Sequence, residues 1–402
     1  VSDNDFDVVI VGGGAVGAVL AVALEQAGFS SALIEAKRPK SFDKTADFDL
    51  RQSAVAPGPR YLLDRLGIWP RLDKSRICGF GGMKVWDAAG GDTLYLEHTA
   101  VGLPELGHIV ENSLLVDCAW QKLVSTRIVS PASLADLRTD AFRAHLALDN
   151  GERLSASLVV GAEGANSPVR HAAGINTTGW HYGQRCTVGA IKPQKHHRHI
   201  AWQRFTETGP VAFLPLSDGR CSMAWHADDT LAAELNELDD LAFAERLTEA
   251  SDGVLGRIER IDSRAAFDLK LLHAHRYVAS RVALVGDAAH VVHPMAGQGV
   301  NLGLLDVAEL VSALERGRAA GHEPGNQRYL MRYQRARMAD NLAMLAATDG
   351  LKRLFGSHSA LPRRARKLGT TVVARFPPLR QLMIHQATGA TATDAPLTRP
   401  TR

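Results

Sequence analysis

Residues 6–35 read FDVVIVGGGAVGAVLAVALEQAGFSSALIE, and no other stretch restricts the fold so tightly. Phe6 to Val11 is a short apolar run rich in β-branched residues, which suits a buried parallel strand. Alanines and leucines then recur at helical spacing until Gly28, and SALIE reads as a second strand ending in Glu35. Strand, glycine turn, helix and strand in roughly thirty residues make a βαβ unit. Gly12, Gly14 and Gly17 fill the GxGxxG positions of that unit. The first permits a tight turn, the second lets a pyrophosphate approach the backbone, and the third allows close helix–strand packing. Glu35 stands where a carboxylate accepts hydrogen bonds from an adenosine ribose, and its charge opposes a 2′-phosphate. The site is therefore expected to take FAD or NAD rather than NADP.

Further along, strand and helix signals alternate. Residues 77–96 predict short strands separated by Gly and Asp turns, and 108–125 reads as helical. Residues 146–160 predict a hairpin around Asp149-Asn150-Gly151, leading to GAEGANSPVR at 161–170. Strand signals dominate 184–225. RVALVGD at 281–287 is one more buried strand, followed by a helix from about Gln298 and largely helical sequence to Gly389. The last dozen residues read as a loose tail. The pattern predicts an α/β nucleotide domain in three pieces, interrupted by a β-rich module. The expected division is an FAD-binding domain at 1–75, 108–180 and 273–345, a substrate domain at 76–107 and 181–272, and a C-terminal region at 346–402.

The strand 281–287 places Asp287 at the C-terminal edge of the sheet. Alone, Asp287 reads equally as a turn cap or as a holder of sugar-alcohol hydroxyls. The segment after it, HPMAGQGVNLGLLD at 293–306, decides for ligand binding. Pro294, Gly297 and Gly299 bare successive N–H groups where a helix begins, a positive nest suited to an electron-rich heterocycle edge. A hydroxyl holder followed by such a loop has the order of a ribityl chain and then a flavin ring.

Together these motifs resemble the single-component flavin-dependent aromatic hydroxylases, and GDAAHVVHPMAGQGVNLGLLD is similar to their ubiquinone-biosynthesis (UbiH-type) subfamily. DLRQSA (49–54), LGHIVEN (106–112), WHYGQ (180–184), GPVAFLPLSDGRCSMAW (209–225) and RYQRARMADN (332–341) match as well. The resemblance implies an α/β fold: a Rossmann-like FAD-binding domain with an inserted, mostly antiparallel β-sheet substrate domain and a C-terminal helical region. It implies noncovalent FAD, transient NADH or NADPH as reductant, and dioxygen used through a flavin hydroperoxide. The substrate it implies is a polyprenylated phenol or quinol of ubiquinone biosynthesis; the alternatives are a smaller soluble phenol or aromatic acid, and a non-catalytic flavin-binding assembly role. By resemblance, Gly12, Gly14, Gly17 and Glu35 take the ADP half, Arg51 the pyrophosphate, Asn112 the ribityl chain, and Asp287 the ribityl chain or the pyrophosphate side. Pro294, Gly297 and Gln298 line the ring as positioning groups, with Gly299, Val300 and Asn301 beside them. The subfamily reads GADG where this chain has GAEG, so Glu163, with Gly164, stands at a motif tied to FAD and nicotinamide. The longer side chain keeps charge and hydrogen-bonding capacity, and an adjusted loop is the expectation.

Bulk properties exclude several classes. Net charge is +3, yet residues 351–402 carry ten Lys or Arg against Asp394 alone, a +9 tail on a −6 body. Within it ARFPPLRQLMIH (374–385) interleaves apolar and basic groups, a pattern for a membrane surface or for other proteins of the same pathway. Nucleic-acid binding has no support. No apolar run spans a bilayer and no signal peptide precedes the first strand, which points to the cytoplasm, with peripheral contact on the inner membrane face. The scattered Cys78, Cys118, Cys186 and Cys221 read as structural thiols. His196, His197 and His199 read as a solvated turn, and no metal ligand is expected. His290 and His293 read as satisfied histidines beside the ring loop, Trp180 and Tyr182 as core, and Asp306 as a helix-packing or capping residue.

Overall fold

The computed structural model describes residues 4–90, 92–292, 299–355 and 395–399. Asp5–Val11 is the central strand of a parallel sheet ordered Val282–Leu284, Arg153–Gly161, Asp5–Val11, Ser31–Ile34, Arg127–Val129. Val8, Val9 and Ile10 are wholly buried, as the continuous apolar run requires. Ala15–Gln26 and Gly299–Ala319 pack together in the same core. The second of these helices is buried on nearly every side, from Asn301 to Leu314, by the first helix and by Gln327–Phe355.

A second sheet is mostly antiparallel. It runs His290–Val291, Ile258–Ala274, Thr177–Pro193, Cys221–Asp228, Pro210–Pro215, Ile200–Phe205, Gly82–Asp87, Leu94–Glu97. One face is covered by Asp229–Glu237 and Asp240–Ala250, whose starts are capped by Asp228 and Asp239. The other face rests, through Ala190, Ala201 and Leu214, on Phe48, Ala54, Phe80 and Ile109. The last three of these belong to a small antiparallel sheet of Gln52–Val55, Gly107–Glu111 and Cys78–Phe80. This junction sets the antiparallel sheet beside the edge of the nucleotide domain. The α/β class with an inserted antiparallel sheet is the architecture observed.

Three expectations change. The stretch 108–125 is not one helix: Ile109 and Val110 are buried in the strand Gly107–Glu111, and the helix is confined to Asn112–Trp120. The tail is not wholly loose. Ala395 is 1% exposed in the main core, and Arg65 donates to the Arg399 carbonyl at 3.2 Å. Trp180 is not core; it is 41% exposed and meets Tyr182 edge-on. The hairpin 144–161, by contrast, turns at Gly151 with φ +85°, and Gly28 ends its helix with φ +75°.

Candidate FAD site

Gly12 has φ +101°, a conformation that glycine alone adopts without strain. A Cβ on Gly17 would lie 1.9 Å from the Gly12 carbonyl oxygen, so the helix can approach the turn only at a bare position. Gly14 is different. Its backbone is extended, and among the described residues none beyond its chain neighbours lies within 4 Å of where its Cβ would be. The fold thus leaves open space where a pyrophosphate would come against the chain. No side chain caps the helix Ala15–Gln26 and no acid sits in its first turn, which leaves its N-terminus to an anion.

Gly13 was not singled out by the motif, yet it too has no room. A Cβ there would stand 2.6 Å from Trp120 Cζ2 and 3.2 Å from Glu35 Oε2. Trp120 donates its indole N–H to the Gly13 carbonyl at 2.8 Å. Glu35 accepts from Gly13 N at 2.5 Å and Lys37 N at 2.9 Å, so its carboxylate is held against the glycine turn.

The other half of the site gathers around the strand Gln52–Val55. Asn112 accepts from Ser53 Oγ at 2.7 Å and donates its backbone N–H to the Arg51 carbonyl at 3.1 Å. Asn301 donates to the Ala54 carbonyl at 2.7 Å and accepts from Ala56 N at 3.0 Å. Both amides therefore position this strand, while the Arg51 side chain stays exposed. Val300 packs against the main core. Asp287, in the turn Gly286–Ala288, is exposed between the buried Gly286 and Ala288. Desolvation pushes its pKa up, against the pull of His290 and Arg51. Pro294, Gly297, Gln298 and His293 lie outside the described residues.

Glu163 has its own partners. Its carboxylate accepts from Ser167 Oγ at 2.7 Å and Val169 N at 3.0 Å, at the start of the helix Pro168–Ala172. Burial raises its pKa, opposed by those bonds and by Arg170. The longer acid is thus spent on the turn while its backbone packs against Gly12. Arg170, almost wholly buried, donates to the Ala165 carbonyl at 2.7 Å and the Ala288 carbonyl at 2.9 Å. It ties the GAEG loop to the turn carrying Asp287. Only its place at the end of GAEGANSPVR hinted at this.

The arrangement fits FAD: open space at Gly14, an uncapped helix start, the Glu35 carboxylate against the glycine turn, and Asp287 at the carboxyl edge of the sheet. Elsewhere the chain holds no comparable constellation among the described residues. His197 is buried rather than solvated. It accepts from His199 N at 3.1 Å through Nδ1 and its Nε2 meets the Leu216 carbonyl at 3.0 Å, so it is a core histidine. Among the described residues no cluster of three His, Cys, Asp or Glu is arranged around a metal position. All four cysteines are buried, and burial pushes Cys78 and Cys118 up to about 11 and Cys186 to about 12, the behaviour of unreactive thiols.

A family model described as "FAD binding domain" matches residues 5–75 and 132–347. Ubiquinone hydroxylase UbiL of Rhodospirillum rubrum is 37% identical over 395 residues, covering 96% of this chain and 90% of that protein. The 3-demethoxyubiquinol 3-hydroxylase of Escherichia coli is 35% identical over 390 residues, covering 95% and 98%. Human mitochondrial ubiquinone biosynthesis monooxygenase COQ6 is 33% identical, covering 94% and 92%. Among solved structures, p-nitrophenol 4-monooxygenase PnpA of Pseudomonas putida superposes with a TM-score of 0.76 at 18% identity, covering 95% of this chain and 98% of that one. HpxO of Klebsiella pneumoniae, solved with FAD and uric acid, gives 0.74 at 17% identity, covering 96% and 97%. With the glycine turn, Glu35 and Asp287 drawn to one sheet edge, the chain belongs to the FAD-binding-domain family and is an FAD-dependent aromatic hydroxylase of the ubiquinone-biosynthesis type.

Proposed function

We propose that the chain hydroxylates the aromatic ring of a polyprenylated phenol or quinol on the way to ubiquinone, using NADH or NADPH and dioxygen. The observation that carries the reading is that the glycine turn and the Asp287 turn follow strands of one parallel sheet and meet where a Cβ on Gly286 would lie 3.3 Å from Val16 Cγ2. Relatives of 35–37% identity across nearly the full chain, both named for ubiquinone-type substrates, support the substrate class. When bound, FAD supplies the redox and oxygen-transfer chemistry. The protein's part is to bind, orient and exclude water. The glycine turn and the N-terminus of Ala15–Gln26 take the pyrophosphate, and Glu35 takes the ribose. Arg51 and Asp287 would hold the middle of the cofactor. The antiparallel sheet, seated by Phe48 and Phe80 on the small sheet next to Arg51, closes the substrate side.

The basic C-terminal region meets a membrane surface, where a prenylated substrate resides. The charge of residues 351–402 supports this, and no helix among the described residues is long and apolar enough to cross a membrane. Turnover of a prenylphenol against a phenol without the chain tests the substrate class. A prenylphenol is expected to have the higher kcat/KM, with reductant use matched by hydroxylated product. A short phenol turned over equally well contradicts the assignment.

A further inference from the structure

The motif RYQRARMADN at 332–341 has no part in the site described above, yet it supplies a fully buried charge. Arg337 and Asp306 are both 0% exposed. Arg337, on the helix Gln327–Phe355, donates Nε to Asp306 Oδ1 at 2.8 Å. Its two Nη groups reach Asp340 at 3.0 Å and Asn341 Oδ1 at 2.8 Å. Asp306, on Gly299–Ala319, turns its other oxygen to the sheet edge, accepting from Gly286 N at 2.9 Å and His290 Nε2 at 2.6 Å. These two anchors bracket Asp287.

We propose that Arg337 and Asp306 are positioning residues that hold the Gly286–Ala288 turn in its FAD-receiving shape before FAD arrives. The proposal rests on reading Asp287 as an FAD contact. Gly286 has φ +59° and no side chain, so its N–H is the handle by which a neighbour can fix it. The turn is also wedged in place. A Cβ on Gly303 would lie 2.5 Å from Val16 Cγ2 and 3.3 Å from Gly286 Cα. Val16 lies in the glycine-turn motif itself, so this contact sets the distance between the two halves of the site. The helix Gln327–Phe355, which carries Arg337, also reaches the chain before the turn: Tyr333 donates to the Leu284 carbonyl at 2.6 Å, and Gln334 accepts from Tyr277 N at 2.8 Å.

Stability alone gives no reason for such a pair, because a buried ion pair is often replaceable by apolar groups without loss. Geometry gives one. Arg337 orients the Asp306 carboxylate, and only a carboxylate so oriented accepts from Gly286 and His290 at once. Burial raises the Asp306 pKa, but His290 and Arg337 outweigh it and keep the group ionised.

The test is FAD affinity, by titration, of the full chain carrying Arg337→Lys, Asp306→Asn or Phe243→Leu. Phe243 is equally buried but lies in the core under the antiparallel sheet. Working at a temperature where circular dichroism shows each protein folded, the first two are expected to bind FAD at least about tenfold more weakly, and the control within about twofold of the parent. Network variants that fold and bind FAD like the parent overturn the proposal. Amide exchange on the parent chain without FAD gives an answer independent of any variant. The Gly286 N–H is expected to be protected, and rapid exchange there in folded protein overturns the proposal as well. Failure of the underlying reading has its own signature, an Asp287→Asn variant whose FAD affinity is unchanged.

Discussion

Gly14 and Gly17 belong to one motif but answer to different constraints, and substitution separates them. Alanine at Gly17 drives a Cβ into the Gly12 carbonyl, and overpacking against backbone costs about 1–3 kcal/mol. Alanine at Gly14 meets open space in an extended backbone, so the protein without cofactor should keep its stability within about 0.5 kcal/mol. Its FAD affinity should nevertheless drop by about tenfold or more if, as proposed, the pyrophosphate takes that space. Thermal melts without FAD, paired with FAD titrations, check both halves. A Gly14→Ala protein binding FAD normally would contradict the placement of the phosphates. The residues that sequence did not reveal, Trp120 and Arg170, act from a distance along the chain. Each donates to a backbone carbonyl of a motif loop, and a carbonyl acceptor leaves no trace in a sequence pattern.

At the scale of elements, the turn between Thr177–Pro193 and Ile200–Phe205 carries a pH dependence. His197 is held neutral: burial, then His196, depress its pKa from the usual 6.5 to about 4, and its Nδ1 is already accepting from His199 N. The unfolded chain takes up a proton below about 6.5 and the folded chain only near 4, so stability present above 6.5 is lost as pH falls toward 4. About 2 kcal/mol should disappear between pH 7 and pH 5, and His197→Gln should flatten that slope. Denaturant titrations at the two pH values measure it. Sequence and structure agree best where one period dominates. The run Phe6 to Val11, the hairpin at Gly151 and the strand at Val282–Leu284 were legible because their side chains are uniformly buried or their turn chemistry is specific. The stretch 108–125 was misread because Gly107–Glu111 and Asn112–Trp120 share one apolar run. Only pairing with Gln52–Val55, far away in sequence, makes the first half a strand.

For the whole molecule, two remote segments meet because the central strand Asp5–Val11 places Arg153–Gly161 beside it and Val282–Leu284 one strand further out. That order carries the glycine turn, the GAEG loop and the Asp287 turn to one edge. It was legible in outline, since each motif follows a strand; the anchoring by the helix Gln327–Phe355 was not, since its motif lies outside any ligand loop. The basic region belongs to this scale too. Removing residues 361–402 should reduce co-sedimentation with anionic liposomes, by about 1 kcal/mol for each basic residue that lies near the surface. Unchanged co-sedimentation would contradict a membrane role for that region.

The central claim is that this chain directs one oxygen atom of dioxygen onto a prenylated ring. The most direct measurement is mass spectrometry of the product formed by FAD-loaded protein from a prenylphenol, NADH or NADPH, and isotopically labelled dioxygen. The expected product carries a single labelled oxygen as a new ring hydroxyl. Reductant consumption without a hydroxylated product, or a hydroxyl whose oxygen comes from water, would contradict the account.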